Sequence, residues 1–207
     1  MTDQRAFTYT GAYTSWSREA ILEKVQKKVK PTRYQHILRV ESYALRLADM
    51  YQADSEACSL AAILHDYAKD IKREKIESIV KQGALAPKLL DYGSQIWHGP
   101  AGAYYAKQKF GINNQAILNA IEEHTIGEEN MTLLSKILFI ADYVEEGRDF
   151  PGVKEARMLA QTNLDEACFY KISQTLIHLI TTRKIIYPRT LEVYNAWMKK
   201  SGGKAIE

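Results

Sequence analysis

Four residues of this chain carry groups that bind metals or move protons, and each stands where a helix should turn inward. His36 lies one turn before Val40 and two turns before Ala44, so the three share a face. His65-Asp66 closes the apolar run Ala61-Ala62-Ile63-Leu64, at the edge of a core rather than in bulk water. Asp142 follows Leu138 by one turn and Ile140-Ala141 directly. A carboxylate buried without a partner is costly. Two acids and two imidazoles on core-facing positions therefore need a positive charge among them. A divalent metal satisfies all four, and a mixed nitrogen and oxygen donor set suits iron, manganese or zinc.

The elements that must position these side chains read as helices almost throughout. Ser17 is a candidate N-cap for a helix with Ile21, Leu22, Val25 and Val29 on one face. Pro31 ends it and suits the first turn of the helix carrying His36. Asp54 or Ser55 caps a third helix that runs to His65, and a fourth spans residues 72–81. Gly99-Pro100 reads as a cap and first-turn proline, opening a helix that stops at Gly111. Asn113 or Asn114, then Thr132, cap the next two helices. Residues 149–152, Asp-Phe-Pro-Gly, form a turn, and Asn163 with Glu166 resembles a capping box for a long helix reaching Lys184. Thr190 caps a last short helix. The class is all-α, a compact bundle of about eight to ten helices around one core. We expect residues 1–16 as a tail or surface-packed arm, 17–200 as one domain and 201–207 as a flexible C-terminus.

Composition narrows the function classes. The 207 residues are 46% hydrophobic and 26% charged, which excludes disorder as the main state. A net charge of +3 is too small a surplus to argue for nucleic acid. No apolar run approaches the roughly 18 residues needed to span a bilayer. No secretory signal is visible, and the two cysteines, Cys58 and Cys168, fall in helical patterns, so a reducing cytoplasm is the expected compartment. The apolar stretch 172–186 suggests a homodimer, as surface beyond what one core buries.

The order His36, His65-Asp66, Asp142 resembles the HD-domain phosphohydrolase superfamily. Residues 61–70, Ala-Ala-Ile-Leu-His-Asp-Tyr-Ala-Lys-Asp, are similar to the HD segment of its YqeK-like branch. So are His98-Gly99, Glu123-His124-Thr125, Ile140-Ala141-Asp142-Tyr143 and Glu145-x-x-Arg148. The resemblance covers residues 17–197. It implies an HD-domain bundle with the activity of a symmetrical bis(5'-nucleosyl)-tetraphosphatase, cutting diadenosine tetraphosphate into two ADP. It implies that His36, His65, Asp66 and Asp142 hold a metal, commonly iron, and that His98 and His124 face the nucleotide phosphates. In other HD enzymes the positions matching these two hold a second metal, so one or two ions are expected. ADP or GDP would be a product-like ligand.

Chemistry assigns further roles to the same set. Hydrolysis of a polyphosphate needs charge neutralisation, an activated water and a stabilised leaving group. Asp66 is a candidate ligand and a candidate base for a metal-activated water. His98 and His124 can donate to the bridging oxygen or balance phosphate charge. Lys69, one turn after His65, points the same way and is a phosphate contact and catalytic candidate. Arg148, past Asp142, offers a planar fork for phosphate, and Arg33 is a similar candidate; Tyr143 joins the substrate set. The segment Ile185, Ile186, Tyr187, Pro188, Arg189 and Thr190 lies between two helices, and in this branch the corresponding loop closes over base and sugar.

Two other readings compete. Hydrolysis of a guanosine alarmone or a deoxynucleotide is one, but alarmone hydrolases carry a Glu-Asp pair after the HD helix, and this sequence has none. A non-catalytic nucleotide-binding module is the other; no basic stripe with interleaved aromatics supports RNA association.

Overall fold

A computed structural model describes residues 7–203. Expectations for residues 1–6 and 204–207 lie outside it. Among the described residues there are ten α-helices, one 3-10 turn and no strand.

The helices are α1 (Arg18–Gln26), α2 (Pro31–Met50), α3 (Ser55–Leu64), α4 (Arg73–Lys81), α5 (Ser94–Phe110), α6 (Gln115–Glu123), α7 (Leu133–Val144), α8 (Val153–Thr162), α9 (Leu164–Thr181) and α10 (Pro188–Lys200). Local chemistry sets most starts. The side chains of Ser17, Asp54, Asn114, Thr132 and Asn163 each accept from a first-turn amide, and Pro31 takes the first position of α2. The core forms where α2 packs on α3 and α7, α6 lies between α5 and α7, and α9 backs α7. α3 is buried on nearly every side, which is why its sequence is predominantly apolar rather than amphipathic.

Four elements depart from the sequence expectation. Gly99-Pro100 sits inside α5, which begins at Ser94. Its glycine serves a close helix crossing: a Cβ there would lie 2.5 Å from the Glu122 carbonyl oxygen of α6. α8 occupies a stretch the sequence left blank, because its inward face is only Val153, Ala156 and Ala160. The helix expected to reach Lys184 stops at Thr181, where Arg183 takes a left-handed φ of 54°. Thr190 is then buried within the first turn of α10, which Tyr187 rather than Thr190 caps.

Residues 7–16 have no helix and lie against α3 and the end of α5. Thr10 donates to Glu56 from its amide and hydroxyl, both at 2.7 Å, and the Thr14 hydroxyl donates to the Phe110 carbonyl at 2.6 Å.

Candidate metal centre

Five helices converge on one polar cluster. α2 supplies His36, the end of α3 supplies His65 and Asp66, α5 supplies His98, the end of α6 supplies His124, and α7 supplies Asp142. The five His and Asp side chains other than Asp142 are buried, and Asp142 is partly open.

Each imidazole is locked in one tautomer by its outer nitrogen. Nδ1 of His65 donates to Ala62 O at 2.6 Å, that of His98 to Ser94 O at 2.6 Å, and that of His124 to Ile121 O at 2.7 Å. His36 Nδ1 donates to Glu145 Oε1 at 3.2 Å. All four Nε2 atoms therefore present lone pairs to the interior. Glu145 is held in turn by Arg39 Nε at 2.5 Å and the Gly147 amide at 2.6 Å. A Cβ at Gly147 would lie 2.5 Å from Arg39 Nε, so a larger residue there would displace that guanidinium from Glu145. Hydrogen bonds to the outer nitrogen are what orient metal-binding histidines.

Asp66 joins the cluster. Its Oδ2 lies 3.3 Å from His65 Nε2 and 3.6 Å from His36 Nε2; its Oδ1 lies 3.3 Å from His98 Nε2 and 4.0 Å from His124 Nε2. Two overlapping groups, His36/His65/Asp66 and Asp66/His98/His124, each bring their ligand atoms within 4.8 Å of one another. Asp142 Oδ1 adjoins the first group, 3.0 Å from His36 Nε2 and 3.9 Å from His65 Nε2. The donor set fits a divalent cation on two counts. Nε2 of His36 and of His65 are buried and make no hydrogen bond. Nε2 of His98 and His124 approach to 3.0 Å, a contact of two lone pairs unless a proton or cation lies between them.

The carboxylates and the inner imidazoles shift in different ways: burial lowers His65, but Asp66 and Asp142 outweigh it and raise that imidazole. Burial pushes the Asp66 carboxyl up, but His65, His98 and His124 outweigh it and hold it well below the usual carboxylate range. Burial is likewise outweighed at Asp142, by His36 and by the Lys171 ammonium, and its carboxyl is also held low. Burial lowers His98, and it lowers His124 strongly with help from His98 and His65. Two neutral imidazoles suit ligation better than the proton donation read from the sequence.

Around the mouth stand three cations. Arg33 Nη1 donates to Asp66 Oδ2 at 2.8 Å, and Arg148 Nη2 to Asp142 Oδ1 at 3.0 Å. Lys69 Nζ donates to Gln95 Oε1 at 2.8 Å and contacts His98 Nε2 at 3.2 Å; burial lowers its pKa. Sequence reasoning found these three but missed Glu145 as the His36 partner, Gln95 as the Lys69 partner, and Lys171. Only Glu145 left a signal, in the Glu145-x-x-Arg148 text.

None of the remaining expected substrate residues makes a hydrogen bond or ion pair with the His and Asp side chains of the cluster. Tyr143 packs on Phe150 with ring centroids 4.8 Å apart. Ile185 is 86% exposed. Tyr187 packs edge-on against Tyr92 at 4.7 Å. Pro188 is the first residue of α10, and Arg189 pairs with Glu128 and Glu192 instead of standing free for phosphate. Tyr187 and Arg189 do line an open groove of about 690 Å³ with Leu89, Ile96, Pro100 and Tyr104.

The chain is similar to named proteins over most of its length. The chain is 38% identical to the symmetrical bis(5'-nucleosyl)-tetraphosphatase of Bacillus subtilis, over 88% of this chain and 97% of that protein. It is 39% identical to the protein of that name from Halalkalibacterium halodurans, over 86% and 96%. A crystal structure from Clostridium acetobutylicum, described as a predicted HD superfamily hydrolase involved in NAD metabolism, superposes with a TM-score of 0.84 at 36% identity, covering 89% of this chain and 98% of that one. The HD-domain profile matches residues 33–147, a span that opens at Arg33, closes at Gly147 and contains every His and Asp of the cluster. This chain belongs to the HD-domain family, whose members bind divalent metal and act as phosphohydrolases.

Proposed function

We propose that this protein hydrolyses diadenosine tetraphosphate symmetrically: one water enters, the central phosphoanhydride breaks and two ADP leave. The observation that carries this is the likeness, at 38–39% identity over nearly their whole length, to proteins named for that reaction. His36, His65, Asp66 and Asp142 would hold one divalent ion, and Asp66, His98 and His124 a second. Iron is the metal we favour, with manganese or zinc as alternatives. An ion bound there supplies Lewis acidity to phosphoryl oxygens and to water.

The chain's own groups divide the rest of the work. Asp66, with an oxygen toward each half of the cluster, would accept the proton of the attacking water. Arg33, Lys69 and Arg148 surround the opening and would neutralise a tetraphosphate that carries several negative charges. The leaving group is a nucleoside diphosphate, so its departing oxygen needs positive charge more than a proton. Lys69, beside His98, is the cation nearest that role. The groove lined by Tyr187 and Ile96 is where we place a nucleoside, on apolar and aromatic surface beyond the phosphates.

The test is chromatography of products from metal-loaded protein and diadenosine tetraphosphate. ADP alone is expected; ATP with AMP, or no turnover, overturns the reading. Loss of turnover in a His65→Ala, Asp66→Ala variant is expected, whereas a metal-independent binding module would keep its ligand affinity. Hydrolysis of a guanosine alarmone or dNTP in preference would place the protein elsewhere in the family. Elemental analysis of freshly purified protein identifies the metal.

The cytoplasm is the compartment that fits such a substrate; no helix among the described residues is long and apolar enough to cross a membrane. We also propose a homodimer, for which exposed Ile177, Ile180 and Ile185 offer apolar surface. Light scattering reads that mass directly.

A further inference from the structure

Lys171 of α9 is an ammonium buried behind the cluster, 5% exposed, and no step above uses it. Burying a charge is costly unless its donors are met, so what meets them shows what the lysine holds. Its Nζ donates to Phe139 O of α7 at 2.7 Å and to His124 O at 3.1 Å, and lies 4.0 Å from Asp142 Oδ2. It also stands 3.6 Å from the centroid of the Phe139 ring. His124 caps the end of α6, so its carbonyl has no donor within that helix. Phe139 lies three residues before Asp142 on α7. One ammonium thus grips the backbone of one candidate ligand and the helix of another, and faces the carboxylate of the second.

We propose that Lys171 is a positioning residue of the metal centre: it ties the end of α6 to α7 and so fixes the separation of the His124 imidazole from the Asp142 carboxylate. The inference rests on the metal-centre reading above. It differs from a plain core contact because a core contact stabilises the fold without setting ligand spacing. An apolar side chain would fill the same space without burying a charge. A lysine whose two hydrogen bonds end on the backbone of ligand-bearing segments, and whose charge faces a candidate ligand carboxylate, is instead explained by the geometry it imposes.

Binding of Mn²⁺ alone, followed by electron paramagnetic resonance of the free ion on the full chain, separates the two roles. Lys171→Met keeps the aliphatic stem and removes every donor, and its Mn²⁺ affinity should fall about tenfold or more. Lys171→Gln keeps two donors without the charge and should fall between Lys171→Met and wild type. Leu176→Ala, a buried truncation on the same helix, should bind Mn²⁺ as wild type does at a temperature where it is folded. Wild-type affinity in Lys171→Met overturns the inference, as does an equal loss in Leu176→Ala. If Lys171→Met does not fold, wild-type affinity in Lys171→Gln overturns it on its own. A wild-type chain that binds Mn²⁺ normally alongside unaffected variants sinks the role of Lys171 while leaving the metal-centre reading intact; a wild-type chain that binds none sinks both.

Discussion

An imidazole can ligate a metal only through a nitrogen that carries no proton, so the side that holds the proton matters as much as the side that faces in. Three of the four histidines spend that proton on a carbonyl three or four residues back in the same segment. His36 spends it on Glu145, a residue 109 positions away. The orientation of His36 is therefore the one exposed to a single mutation. Glu145→Gln keeps the shape but replaces a charged acceptor shared with Arg39, and metal affinity should drop about tenfold, at the low end of losses for such partners; Mn²⁺ titration measures it. At the mouth, removing the Lys69 ammonium should cost more in rate than in fold. Losing one charge-assisted hydrogen bond of about 1.5–3 kcal/mol corresponds to roughly a 10- to 100-fold fall in kcat/KM. Lys69→Met should show that fall in the product assay, and Gln95→Ala, which only steadies Lys69, a smaller one.

Helices turn these residues into a site, and one crossing governs the second half of it. α5 and α6 approach so closely at Gly99 that an added methyl would meet the Glu122 carbonyl at 2.5 Å. His98 precedes that glycine and His124 follows that carbonyl by two residues, so the crossing sets their 3.0 Å separation. Gly99→Ala should force the helices apart, destabilise the fold by about 1–3 kcal/mol and lower turnover beyond what the lost folded fraction explains. A thermal melt beside an activity measurement on folded protein separates the two effects. Here the limits of sequence become physical. The inward placement of His36 and Asp142 is legible from helical period, and that of His65 and Asp66 from the apolar run that ends at Leu64. Gly99-Pro100 was misread because a cap and a close crossing use the same residue, and only the partner helix distinguishes them. α8 was missed because alanines make a quiet apolar face. Gln95 and Lys171 were illegible because their meaning lies in contacts far away in sequence, 26 residues from Lys69 for the one and 47 from His124 for the other.

At the scale of the whole molecule, a metal held by the proposed ligands on α2, α3, α5, α6 and α7 would tie together at one point helices that otherwise pack only pairwise. Ligand bound to the folded state alone stabilises it by about 2.7 kcal/mol at a concentration of 100 Kd. For a domain of this size that is roughly 5–10 °C in Tm, so stripping the ion with a chelator should lower the melting temperature by that much. The two thiols report the same coupling from a different place. Cys58 on α3 and Cys168 on α9 are free and almost fully buried. Burial pushes the Cys58 thiol up to about 12 and the Cys168 thiol up as well. A thiolate is the reactive form, and raising pH from 7 toward 9 stays below the folded value of Cys58, so native reactivity stays low across that range. Unfolding returns both groups to ordinary pKa values and to solvent. Labelling by an aromatic disulfide at pH 8 should then proceed only through opening of the core, and a bound metal that links the surrounding helices should slow it. Added Mn²⁺ is expected to reduce the labelling rate in wild type and to leave it unchanged in the His65→Ala, Asp66→Ala variant. Fast labelling of the native chain, or equal slowing in both proteins, would show that the core opens independently of the metal centre.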